Sequence, residues 1–219
     1  MSVALWVYGN HSIAFKGKEI ADKKDVLNRL NSLKLEEYVF LLEMVKKWHS
    51  PLGYDEKWDK KRTELLERDI QIHSWRILFE DDIIFPHTVE YEFVGPYGLY
   101  TEITKNYIFI RPWVGRYHHW YWTEKKEDIE WRDTWRFIIF QIINVLGGDS
   151  ALYFPDNMSD LSAYLPTKYN LPKFNKLVQV ILDEYKPCFT SFAEATKRYM
   201  ANTLENDPFV IDKFDDLRK

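Results

Sequence analysis

The chain has 219 residues, enough for one domain with a sizeable core, and 46% of them are hydrophobic. Its formal net charge of −4 argues against a dedicated nucleic-acid binder, which usually carries a basic surplus. The single cysteine, Cys188, excludes an internal disulfide and any zinc site built on several cysteines.

Two further features of the sequence bear on the cellular compartment of the protein. Its first twenty residues lack the basic and then apolar pattern of a signal peptide. The longest apolar run, residues 137–146, is too short to span a bilayer and is interrupted by Gln141 and Asn144. We therefore expect a soluble protein of a reducing compartment, most simply the cytoplasm, without a membrane partner.

The N-terminal third begins with strand patterns and continues with helical ones. Residues 3–8 alternate as a strand does, and residues 12–15 are predicted to pair with them as a hairpin across Gly9 and Asn10. Asp22 is suited to cap the helix that follows. Three helices are predicted here, over residues 22–33, 36–48 and 56–69.

From about residue 70 to residue 123 the pattern changes to β, with aromatic and β-branched residues separated by turn signals. The spacing of the turns predicts an antiparallel meander. Its four strands are predicted over residues 88–94, 99–104, 107–111 and 116–123.

The C-terminal half is predicted to be mainly helical. A helix over residues 127–146 has one apolar stripe, becomes apolar nearly all round, and should end at Gly147-Gly148. A short strand is predicted over residues 150–154. Two helices are predicted after it, over residues 172–185 and 191–204, and the second starts with a capping box of Ser191 and Glu194. Residues 206–219 are acidic and carry no strong pattern.

The predicted fold class is α+β: an antiparallel meander sheet of about residues 70–123, packed by N-terminal and C-terminal helices. We expect one domain over residues 1–219. It comprises an N-terminal hairpin with helices (1–69), the meander (70–123) and a helical C-terminal half (127–219).

The tight turns predict which side chains share a sheet face. A turn centred on Pro96-Tyr97 sets Val94 opposite Leu99 and Phe93 opposite Tyr100, and the next turn sets Ile103 opposite Ile108. The first face is aliphatic and suits the helix of residues 127–146. It carries Val94, Leu99, Ile103, Ile108, Ile110, Tyr117, His119 and Tyr121. The second face, which we call the ring face, carries Tyr91, Phe93, Tyr100, Glu102, Tyr107, Phe109, Arg111, Arg116, His118, Trp120 and Trp122.

The ring face has two interpretations. It is a second core layer if the N-terminal helices cover it, because large rings are usually buried. It is a binding surface if part stays open, because rings and Arg carry much of the energy of protein interfaces. The predicted partner-binding residues, including one from the loop of residues 112–115, are Glu102, Arg111, Trp113, Arg116, His118, Trp120 and Trp122.

Other chemistries receive less support. His118 and His119 are adjacent on a predicted strand and point to opposite faces, so they are poorly placed to share a metal ion. The sequence contains no nucleophile elbow, P-loop, dinucleotide fingerprint or HExxH motif. We expect a protein that is not an enzyme and that needs no cofactor. Two alternatives remain open: a hydrolase that uses Glu or Asp with His118, and a nucleic-acid accessory protein that stacks bases on its rings.

Three motifs resemble those of a known group of proteins. They are Y-x-F-x-G-P-Y at residues 91–97, W-R-x-x-W at residues 131–135, and L-G-G-D-x-A-L-Y-x-P-D at residues 146–156. They resemble immunity proteins of bacterial polymorphic-toxin and of contact-dependent or type VI secretion systems, over residues ~3–20 and ~88–160. The resemblance implies a cytoplasmic inhibitor that blocks a cognate toxin by surface complementarity. A small negative surplus would suit a basic toxin such as a nuclease.

Overall fold

The structure, a computed structural model, describes residues 5–34, 37–48, 56–78, 93–112, 124–155, 173–184, 188–201 and 209–218. Six α-helices lie in these ranges: α1 (Lys23–Asn31), α2 (Tyr38–Trp48), α3 (Glu56–Ile70), α4 (Lys126–Val145), α5 (Phe174–Glu184) and α6 (Phe192–Met200). The strands are β1 (Leu5–Gly9), β2 (Phe15–Lys16), β3 (Glu19–Ile20), β4 (Arg76–Ile77), β5 (Phe93–Gly95), β6 (Leu99–Ile103), β7 (Ile108–Pro112), β8 (Ala151–Pro155), β9 (Cys188–Phe189) and β10 (Phe209–Asp212). The α+β class is confirmed.

Eight of the described strands form one sheet, in the order β4-β5-β6-β7-β1-β8-β10-β9. All neighbours are antiparallel except β9 and β10, which are parallel. The meander β5-β6-β7 is confirmed, and Ile103 pairs with Ile108 as predicted. The sheet extends beyond the meander because β1, β8 and β10 come from the segments on either side of it.

The predicted N-terminal hairpin is wrong. β1 lies in the middle of the sheet, where Tyr8 pairs with Phe109 of β7 on one side and with Leu152 of β8 on the other. β2 pairs instead with β3, in a separate two-stranded sheet. Val7 and Tyr8 of β1 are buried in the clusters on opposite faces of the sheet, which a two-stranded hairpin could not provide.

The predicted register of the first meander turn is also wrong, by one residue. Val94 pairs with Tyr100, and Phe93 pairs with Thr101. Three residues, Pro96–Gly98, form the turn, and both Tyr97 (φ 56°) and Gly98 (φ 76°) have left-handed backbone conformations. A slip of one residue exchanges sheet faces, so Phe93 lies on the aliphatic face and Val94 on the ring face.

The aliphatic face is packed by α4, as predicted, and also by α1, α2 and α6. Ile138, Ile139, Ile142 and Ile143 of α4 are buried there with Leu30 of α1. Gly147 (φ 78°), just beyond the end of α4, donates its N–H to Asn144 O, and the N–H of Gly148 donates to Ile143 O. This pair of hydrogen bonds is a Schellman motif, and the predicted stop is confirmed.

The helices and caps predicted from local patterns are confirmed within the described residues. The Asp22 carboxylate accepts the Asp25 N–H at 2.9 Å and caps α1. The Ser191 hydroxyl accepts the Glu194 N–H at the start of α6. No helix among the described residues is long and apolar enough to cross a membrane. The predicted strand of residues 116–123 lies outside the described residues.

Candidate functional site

The predicted partner-binding residues are described only in part. The Glu102 side chain lies on β6, opposite Phe109, and the residue is 3% exposed. Arg111 lies on β7 with its backbone opposite Tyr100. Trp113, Arg116, His118, Trp120 and Trp122 lie outside the described residues, so their role as contacts stays a prediction.

The described part of the ring face is core. Tyr100, Tyr107 and Phe109 are buried, and they pack in one cluster with Phe174 and Leu177 of α5. The backbone N–H of Phe174 donates to Asn106 O at 3.3 Å, which attaches the start of α5 to the turn between β6 and β7. The described rings are therefore covered by α5, a C-terminal helix, while at Tyr100 the N-terminal helix α3 also contributes Arg68.

A buried polar group also lies on this face. Both Nε and Nη2 of Arg68 donate to Asp69 Oδ1, at 3.1 and 2.7 Å, and Nη2 also donates to the Tyr100 hydroxyl at 2.6 Å. Burial raises the pKa of the Asp69 carboxyl, against the opposing effect of Arg68. Asp69 lies against Gly98, where a β-carbon would be 2.5 Å from Oδ2. This group therefore joins the end of α3 to the turn at Pro96–Gly98, and its close packing suits a structural role.

A cleft of about 430 Å³ lies beside the C-terminal turn. It lies between α4, the start of α6, and the residues that follow β10. Its charged lining residues are Arg132, Arg136, Lys213, Asp133, Asp212, Asp215 and Asp216. Thr190, Ser191, Phe192 and Phe214 contribute hydroxyl groups and rings.

Arg136 lines this cleft and forms hydrogen bonds with two of its carboxylates. Its Nε and Nη2 donate to the two oxygens of Asp212, at 2.5 and 3.0 Å. Its Nη1 and Nη2 donate to the two oxygens of Asp216, at 2.8 and 2.6 Å. The hydrogen bonds to Asp216, and then those to Asp212, raise the pKa of the guanidinium above its usual value, although burial opposes them. Arg136 is thus a fixed cation between two carboxylates.

Arg132, one helical turn earlier, is turned inward. Its Nε donates to Asp133 Oδ1 at 3.2 Å, and its Nη1 donates to the Thr196 hydroxyl at 3.3 Å. The guanidinium also lies over the Phe192 ring, 5.6 Å from the centroid. This geometry ties α4 to α6 and leaves the arginine buried.

Two carboxylates of the cleft, in contrast, are exposed, while that of Asp212 is buried. The side chain of Asp133 is 58% exposed and that of Asp216 is 61% exposed, whereas that of Arg136 is 17% exposed. A partner that approaches the cleft therefore meets exposed carboxylate oxygens of Asp133 and Asp216, with the exposed Lys213 in the same lining. Such oxygens accept hydrogen bonds from Lys and Arg side chains, so the arrangement suits recognition of cationic groups.

The Ser191 hydroxyl at the cleft has a structural role. Ser191 Oγ is the cap of α6 and accepts the Glu194 N–H at 3.5 Å. Within the described ranges, no group of three or more His, Cys, Asp and Glu side chains is placed to hold a metal ion. The described lining of the cleft consists mainly of charged side chains.

Sequence reasoning missed this cleft. Arg132 and Arg136 are four residues apart on α4 and so share a helix face, which is the signal that could have suggested a paired site. The segment F-V-I-D at Phe209–Asp212 is short and lies within a stretch predicted to have no strong pattern, yet it forms β10. Without that strand, the partner of Arg136 could not be found.

No known family model, curated protein or solved structure matches this chain. The fold and the cleft define it as an α+β protein with an eight-stranded mixed sheet between helices and a charged cleft beside its C-terminal turn.

Proposed function

We propose that this chain is an immunity protein, which binds a cognate bacterial toxin in the cytoplasm and neutralises it by protein–protein contact. The proposal starts from the resemblance of the motifs at residues 91–97, 131–135 and 146–156. The observation that carries it is the charge arrangement of the cleft. Asp133 and Asp216 expose their carboxylates, while Arg132 and Arg136 are paired and withdrawn.

This arrangement suits a basic partner. The chain has a formal net charge of −4, so long-range attraction would speed encounter with a basic toxin such as a nuclease. On contact, Lys or Arg side chains of the toxin would meet the exposed carboxylates of the cleft rim. The predicted contacts at Arg111, Trp113, Arg116, His118, Trp120 and Trp122 form a second candidate surface for the same partner.

Co-expression with the toxin encoded by the neighbouring gene tests the function. We expect growth to be rescued and the two proteins to be purified together. A toxin that still kills its host and does not bind the chain would rule the proposal out.

Two sets of variants then locate the surface. Asp133→Asn with Asp215→Asn removes two exposed carboxylates of the cleft and leaves the Arg136–Asp216 pair in place. Glu127→Gln with Glu130→Gln removes two exposed carboxylates elsewhere on α4 as a matched control. Loss of affinity in the first variant alone assigns contact to the cleft. A loss of affinity in the variant with Trp113→Ala and Trp120→Ala instead assigns the contact to the tryptophans that the sequence analysis predicted as partner-binding residues.

A further inference from the structure

The segment after β10, residues 213–218, forms one wall of the cleft, and we call it the strap. It passes over α4 and turns back on itself, with Leu217 N–H donating to Phe214 O at 3.0 Å. Near its end, the Arg218 guanidinium donates to the backbone carbonyl of Asp149. Since Lys213, Phe214, Asp215 and Asp216 line the cleft, the position of the strap determines how open the cleft is.

The strap contains an outlier of backbone conformation. Phe214 has a φ of 55°, in the left-handed region that bulky residues rarely adopt. Its N–H donates to Asp212 Oδ1 at 2.8 Å. Its ring is fully buried, 5.3 Å from the Phe140 ring and 5.9 Å from the Arg136 guanidinium. Strain of this kind persists only where surrounding contacts hold it, and it is concentrated at switch regions.

Besides the burial of its ring, Phe214 is flanked by two ion pairs of Arg136 that differ in their exposure to water. Arg136 forms one ion pair with Asp212, which precedes Phe214 in the sequence, and a second ion pair with Asp216, which follows it. The Asp212 side chain is only 6% exposed, so water competes weakly for it. The Asp216 side chain is 61% exposed, and an ion pair in contact with water contributes little and is screened by salt.

We propose that the strap is a conformational latch of the cleft, with Arg136–Asp212 as its fixed half and Arg136–Asp216 as its releasable half. When Asp216 leaves Arg136, the strap lifts, Phe214 relaxes from its left-handed conformation, and the cleft deepens towards Phe140. The outer edge of the Arg136 guanidinium is then exposed. The latch depends on the strap's own contacts, so it stands whether or not the chain is an immunity protein.

Limited proteolysis of the full chain tests the latch. Trypsin can cut between Lys213 and Phe214 only when the strap lifts, because Phe214 is buried and its N–H is bound. The rate at which the fragment ending at Lys213 appears, followed by mass spectrometry, therefore reports the open population. For Asp216→Asn we expect this rate to rise about fivefold, the scale of one exposed ion pair.

The control is Arg29→Gln, which removes an exposed ion pair of α1 with Asp25 (2.8 Å). Its rate of cleavage at Lys213 should equal that of the unchanged chain. Raising NaCl from about 0.05 to about 0.5 M should speed this cleavage in the unchanged chain and much less in Asp216→Asn, because screening acts on the pair that the variant lacks.

Two results would overturn the latch. One is equal cleavage at Lys213 in Asp216→Asn and the unchanged chain. The other is a rise that Arg29→Gln shares, or a rate of cleavage at Lys213 that increases with urea as steeply as global unfolding does, because the strap would then open only when the whole fold does.

Discussion

Arg136 and Asp212 are 76 residues apart in the sequence, and their side chains meet through two hydrogen bonds of 2.5 and 3.0 Å. The contact joins the middle of α4 to the end of β10. It also fixes the start of the strap, because Asp212 Oδ1 accepts the Phe214 N–H as well. One carboxylate thus connects a helix, a strand and a turn.

Removing the positive charge of Arg136 should strongly destabilise the fold. Arg136→Gln leaves the buried Asp212 carboxylate without its charged partner, and we expect the free energy of unfolding to fall by about 3 kcal/mol. Asp216→Asn should cost about 1 kcal/mol or less, because Asp216 is exposed. Urea unfolding measures both. Equal losses in the two variants would show that the burial of Asp212 has no bearing on the strength of the pair.

Gly98→Ala should be far more destabilising than another Gly→Ala change at a similar backbone conformation. Gly98 has a φ of 76°, and an added β-carbon would lie 2.5 Å from Asp69 Oδ2. Gly17 has a φ of 67° with nothing within 4 Å, so Gly17→Ala carries the backbone strain alone, about 1 kcal/mol. Thermal unfolding of the two variants separates the effects. A Gly98→Ala loss no larger than the Gly17→Ala loss would mean that Asp69 moves aside freely.

Stability should decrease in mild acid because of His11. Its Nε2 lies 2.8 Å from Thr104 O and its Nδ1 accepts the Ile13 N–H at 3.0 Å, so the ring is held neutral with the proton on Nε2. Burial lowers the pKa of His11 below the value of 6.5, against the opposing hydrogen bond to Thr104. The unfolded chain therefore binds a proton at a higher pH than the folded one, and stability falls as the pH drops through 6.5.

Urea unfolding between pH 7.5 and pH 5.5 measures this loss. His11→Gln removes the titrating group at this position, so its stability should change less over the same range. A profile that is as steep in His11→Gln as in the unchanged chain would assign the pH dependence to other groups.

Cys188 should react slowly with thiol reagents while the chain is folded. The residue lies on β9, partly buried, and burial raises the pKa of its thiol to about 11. At neutral pH its thiolate fraction is then about a hundredfold lower than that of an ordinary cysteine. Modification rates by a disulfide reagent, with and without urea, measure the difference. Rapid reaction of the folded chain would contradict the burial of this thiol.

Local sequence signals predicted the helices and their ends. Asp22 caps α1, Ser191 caps α6, and Gly147 and Gly148 end α4, as the patterns indicated. Each of these signals acts through hydrogen bonds between residues that are at most five positions apart. The prediction for the first turn of the meander was wrong because the number of residues in that turn depends on the left-handed conformation of Tyr97. The residue type of Tyr97 does not indicate such a conformation.

The sequence by itself therefore determined the α+β class, the helices and the β5-β6-β7 meander, since helical periodicity, strand alternation and turn residues are local properties. The tertiary structure alone decided that β1 lies between β7 and β8, that α5 covers the ring face, and that Arg136 meets Asp212 and Asp216. Strand order and long-range ion pairs depend on which distant surfaces bury each other, and the spacing of residues along one segment does not encode that choice.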